Sequence, residues 1–127
     1  MTDMALTPAC VLLVEDEVII RSLLADELRH AGLCVVEASN ADEAWAYLQA
    51  GNRPGLLFSD IHMPGSMDGI ALARLVLTNY PETKIIVTSG NPGPRSFSDV
   101  GVFLSKPYRL ERAAKLALQS LGRTAAV

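Results

Sequence analysis

Three acids and one lysine in this chain could do chemistry together: Glu15, Asp16, Asp60 and Lys106. The acids follow short apolar runs, Val11-Leu12-Leu13-Val14 before Glu15-Asp16 and Leu56-Leu57-Phe58-Ser59 before Asp60. A carboxylate at the C-terminal end of a buried strand lies at the sheet edge where α/β proteins bind ligands. Carboxylates crowded into one partly desolvated edge repel one another. A hard divalent cation such as Mg2+ prefers oxygen ligands of this kind and keeps several waters. Lys106 adds a mobile positive point charge. A carboxylate in that company is suited to accept a phosphoryl group, because cation and ammonium neutralise charge on the transferring oxygens while the aspartate attacks in line. Ser89, at the end of another apolar run, could then hydrogen-bond a phosphoryl oxygen.

Those residues need strands to carry them and helices to cover the sheet. Besides the two runs above, Leu33 to Ala38, Lys84 to Ser89 and Val100 to Leu104 read as strands. Between them, Val18 to Ala31 carries Ile20, Leu23, Leu24 and Leu28 at helical spacing, with Gly32 as a stop. Glu17 and Arg21 stand one turn apart and would support its start. Ala41 to Ala50 is a second helix with Ser39 or Asn40 as cap, and Gly69 to Tyr80 a third, with Ser66 or Asp68 as cap and Pro81 as terminator. Tyr108 to Leu121 forms the last, striped by Leu110, Ala114, Ala117, Leu118 and Leu121. Strands alternating with helices imply a doubly wound parallel α/β sheet with right-handed crossovers. All strand C-termini then share one edge, where Glu15, Asp16, Asp60, Ser89 and Lys106 converge.

Length and composition narrow the function. The chain has 127 residues, 50% hydrophobic and 20% charged, which fits one globular domain. Residues 1–9 read as a tail, 10–121 as the domain and 122–127 as a second tail. A net charge of −3 gives no electrostatic reason to expect nucleic acid. No apolar run spans a bilayer and no signal peptide opens the chain, so a cytoplasmic location is expected. In that reducing compartment Cys10 and Cys34 read as small buried hydrophobes rather than a disulfide.

Glu15-Asp16, Asp60, Met63-Pro64 with Met67-Asp68-Gly69, Thr88-Ser89-Gly90 and Lys106-Pro107 stand in an order that resembles the signature of response-regulator receiver domains. The resemblance runs from about Val11 to Leu121 and implies a flavodoxin-like (βα)5 fold with strand order 2-1-3-4-5. It makes Asp60 the phosphoacceptor, Asp16 a Mg2+ ligand (with Mn2+ as the alternative ion) and Glu15 a ligand through water. The backbone carbonyl of His62 becomes a third protein ligand. Ser89 takes the switch hydroxyl, with Thr88 one register step away. Lys106 takes the lysine role, followed by a proline usually joined through a cis bond, and Phe103 takes the switch aromatic. The implied partners are a sensor histidine kinase or phosphotransfer domain and an unidentified downstream protein, with self-association into a homodimer left open.

The departures are local. Glu15 stands where aspartate is more usual, and Pro64-Gly65-Ser66-Met67 is one residue longer than the common loop. Ser89 to Phe103 is shorter than usual, with Pro92 and Pro94 at its start, so a shortened or irregular fourth helix is expected there. The expected function is a stand-alone phosphoacceptor that relays a two-component signal and is not a turnover enzyme. Two other classes remain: a docking module that ignores phosphorylation, and a hydrolase of the haloacid dehalogenase-like type. The complete acid and lysine set argues against the first. His62, where such hydrolases place a second acid, argues against the other.

Overall fold

The computed structural model describes residues 7–90 and 99–123, with side chains from residue 10 onward. Five strands, β1 (Thr7–Val14), β2 (Cys34–Ala38), β3 (Pro54–Asp60), β4 (Lys84–Ser89) and β5 (Val102–Ser105), form a parallel sheet in the order β2-β1-β3-β4-β5. The helices are α1 (Val18–His30), α2 (Ala41–Gln49), α3 (Gly69–Asn79) and α4 (Leu110–Ser120). The expected class and strand order are both present. The shortened fourth helix expected between β4 and β5 falls on residues 91–98, outside the described residues. β1 begins at Thr7, earlier than the tail boundary expected from composition, because Thr7 pairs with Pro54 across a local irregularity.

The strands at the centre are apolar on both sides because helices cover both faces. Leu13, Leu56, Phe58 and Ile86 pack against Leu24 and Leu28 of α1 and Ala117 of α4. Residues of opposite parity, Leu12, Val14, Leu57 and Val87, pack against Ala44 and Leu48 of α2 and Leu72 and Val76 of α3. Helix starts are fixed by side chains that satisfy orphan backbone donors. Asn40 accepts from the Glu43 N–H at 2.8 Å, and Asp68 from the Ala71 N–H at 2.8 Å. Of the two cap candidates for α3, Asp68 is the one used. Arg21 meets Glu17 through the backbone, its N–H on the Glu17 carbonyl at 2.9 Å, and not through an ion pair. Its guanidinium reaches Glu37 on β2 at 3.3 Å and donates to the Glu15 carbonyl at 2.7 Å.

The cysteines require a correction. Parallel register sets Cys10 of β1 opposite Cys34 of β2, their Cα atoms are 4.3 Å apart, and the two sulfurs form a disulfide. Adjacency in the sheet, invisible in a 24-residue separation, overrides the expectation of separate thiols.

Candidate functional site

The site gathers at the C-terminal ends of β1, β3 and β5. Asp60 is the last residue of β3 and continues the parity of Leu56 and Phe58. Its carbonyl accepts from the Ser59 hydroxyl at 2.9 Å. Gly69, the first residue of α3, rests against that carbonyl so closely that a Cβ there would collide with it. The helix can therefore start only if this position stays glycine.

Glu15 leaves β1 with its N–H bonded to the Ala38 carbonyl at 3.1 Å, which pins it to the end of β2. Its carboxylate accepts from the Glu17 N–H at 3.1 Å and from Lys106 Nζ at 3.1 Å. Lys106 arrives from β5 with its N–H on the Ser89 carbonyl at 2.9 Å, ahead of a cis bond to Pro107. Its ammonium lies 3.0 Å from Asp60 Oδ2. Carboxylate oxygens of Glu15, Asp16 and Asp60 all fall within 4.8 Å of one another, with Glu15 and Asp60 buried and Asp16 open to solvent.

This geometry explains the charge balance. Burial raises the Glu15 pKa above the ordinary carboxylate range and the Asp60 charge adds to it, against the Glu17 N–H and Lys106, which favour the ionised form. Burial works against charge on Lys106, but its bonds to Asp60 and Glu15 outweigh that and hold it above the usual lysine value. One ammonium therefore serves two buried acids and leaves the cluster rich in negative charge. Hard oxygen donors without thiolate or imidazole among them are the donor set that Mg2+ or Mn2+ prefers.

The remaining expected residues are placed less centrally. His62 is exposed and its ring lies outside the acid cluster. Phe103 is half-buried and packs with the α2/α3 face of the core. Ser89 is buried and pairs in register with Ser105. Thr88, second to Ser89 by motif alone, is the register partner of Asp60 and shares its parity, whereas Ser89 falls on the opposite one. Sequence marks Tyr108 only as a helix start. It packs edge-on against Phe58 with ring centroids 6.2 Å apart, and burial followed by the Glu15 charge pushes its phenol up to about 12.

The family model for the response regulator receiver domain matches residues 11–116. This chain belongs to that family. As a receiver domain it is 38% identical over 107 residues to the response regulator receiver protein CpdR of Brucella abortus, covering 79% of this chain and 86% of that one. It is 31% identical over 120 residues to the nitrogen assimilation regulatory protein NtrX of Azorhizobium caulinodans, covering 87% of this chain and 26% of the relative. The solved receiver domain of NtrX from Brucella abortus superposes with a TM-score of 0.80 at 32% identity, over 88% of this chain and 98% of the other. Against several other curated relatives the receiver domain spans only 22–24% of their length. Receiver domains are signalling modules that take phosphoryl groups from sensor kinases and bind Mg2+ at an acidic pocket. Among the described residues no helix is long and apolar enough to cross a membrane.

Proposed function

We propose that this receiver domain accepts a phosphoryl group on Asp60 from the phosphohistidine of a sensor kinase or phosphotransfer domain, and relays a two-component signal. The observation that carries the reading is the Lys106 ammonium, 3.0 Å from Asp60 and 3.1 Å from Glu15, beside a third acid. Asp16, Asp60 and the His62 carbonyl would hold Mg2+, with Glu15 acting through water, and the ion would draw charge from the phosphoryl oxygens.

In the transfer, an Asp60 carboxylate oxygen attacks phosphorus while the P–N bond to the donor imidazole breaks. The bonding pair returns to the imidazole nitrogen, and an acyl phosphate remains on Asp60. Lys106 keeps its ion pair by shifting toward a phosphoryl oxygen. The product carries about two negative charges where one carboxylate stood. A hydroxyl beside Asp60 can turn toward that charge, and the register favours Thr88 over the Ser89 assignment drawn from sequence. Phe103 would then report the change toward the downstream protein. An apolar groove of about 420 Å3, lined by Ile20, Leu23, Lys106, Pro107, Tyr108 and Leu110, opens beside the lysine. A protein donor suits such a rim better than a small phosphate ester does.

Incubation with a phosphorylated histidine kinase and Mg2+ should label the chain through an alkali-sensitive acyl phosphate. Asp60→Asn should abolish that label, and labelling that persists in this variant would refute the assignment. Thr88→Ala should uncouple acceptance from switching: the label still forms, while amide shifts induced by beryllofluoride no longer reach Phe103. The same uncoupling in Ser89→Ala, with Thr88→Ala normal, would return the switch role to Ser89. The docking-module reading predicts no label in any of these proteins.

A further inference from the structure

We propose that Asp42 is a positioning residue for the loop between β3 and α3, and that by tethering this loop it sets the Mg2+ affinity of the acid site. The inference deepens the phosphoacceptor reading and rests on it. Residues 61–69 form a loop closed at its base, where the Ile61 N–H donates to the Thr88 carbonyl at 2.9 Å and the Gly69 N–H to the Ile61 carbonyl at 2.8 Å. Its middle is held from a different element. Asp42, in the first turn of α2, accepts from the Ser66 N–H at 3.2 Å through Oδ2 and from the Ser66 hydroxyl at 2.7 Å through Oδ1.

Both carboxylate oxygens are thus used on one loop residue, although Asp42 lies in the first turn of its own helix. Gly65 is shaped for the contact, with φ +121° and a position where a Cβ would sit 2.9 Å from Asp42 Oδ2. Only glycine meets both conditions without strain. The His62 carbonyl, assigned above to the metal, lies within the same closed loop, four residues before Ser66. A ligand carried on a loop binds tightly only when that loop is held near its bound shape. Asp42 supplies that restraint without touching the metal.

The test is a Mg2+ titration of the full chain at fixed ionic strength, followed by two-dimensional amide NMR, with hydrogen exchange of the Ser66 amide read in parallel. Asp42→Ala should weaken Mg2+ binding about three- to tenfold, the loss expected for one or two exposed charge-assisted hydrogen bonds, and should speed Ser66 exchange. Ser66→Ala keeps the charge and the backbone bond, so its effect should be smaller and of the same sign. Asn40→Ala removes the cap on the Glu43 N–H and weakens α2 without freeing the loop, so Mg2+ affinity should hold. An equal loss in Asn40→Ala would assign the effect to helix stability and overturn the proposal. So would Ser66→Ala unchanged beside a weakened Asp42→Ala, since charge alone would then be the cause. Unchanged binding in Asp42→Ala overturns the tether alone, whereas no Mg2+ binding by the unsubstituted chain overturns both the tether and the reading beneath it.

Discussion

The two ends of the pairing between β1 and β2 are fixed by opposite means. Near the N-terminal end Cys10 is bonded covalently to Cys34 of β2, and no charge is involved. Past the C-terminal end the Glu15 N–H holds the Ala38 carbonyl at 3.1 Å, while its buried carboxylate faces Asp60 and shares Lys106 with it. Val11 to Val14, wholly buried, separate the two. One end adds stability and offers no chemistry; the other concentrates like charges at some cost in stability and offers a site. Active sites commonly carry such a cost, which the surrounding packing must offset.

That contrast is broken most directly at the cysteine end. Reducing the disulfide, or replacing Cys34 by serine, should lower unfolding stability by about 2–3 kcal/mol through the freedom returned to the unfolded chain. Urea denaturation with and without dithiothreitol measures it. Cys34 is exposed on β2, so reductant can reach it. Mg2+ affinity and phosphoryl acceptance should not move, because the intervening core holds β1 in place. A parallel loss of Mg2+ affinity would mean that the two ends are coupled and that the division of roles is wrong.

Much of this arrangement is legible in the chain. The apolar runs ending in Glu15-Asp16 and Asp60 imply strands buried on both sides, and alternation with helical stripes implies the parallel sheet. The acid and lysine cluster can be read because charges at strand ends all face one edge. Lateral register cannot. Sequence places a residue along its strand but does not say which residue stands beside it. Cys10 and Cys34 become partners through that register, and Thr88 rather than Ser89 comes level with Asp60 for the same reason. Tyr108 and Asp42 escape a reading of the sequence because packing between elements, and not any motif, gives them their surroundings.

The smallest predicted effect tests the acid end by its sign. In Glu15→Gln a neutral amide replaces a carboxylate whose pKa is raised, chiefly by burial and further by Asp60. A folded-state pKa above the unfolded value means that the unfolded chain loses its proton first. Folding therefore becomes less favourable as pH rises from the ordinary glutamate value to the raised one, and the full cost applies above it. Glutamine avoids this cost but can accept from only one of Lys106 and the Glu17 N–H at full strength. Without Mg2+, the variant should be more stable than the parent by about 1 kcal/mol at pH 7, the usual size of a single-residue effect. Below about pH 4 the gain should vanish or reverse, because the parent carboxyl is then protonated in both states. Thermal unfolding across that range decides the matter. A gain independent of pH would point to packing, and a loss at pH 7 would mean that the Lys106 bond already outweighs repulsion and burial. Added Mg2+ should reverse the ranking, since the parent retains the carboxylate proposed to hold the ion through water and the variant does not.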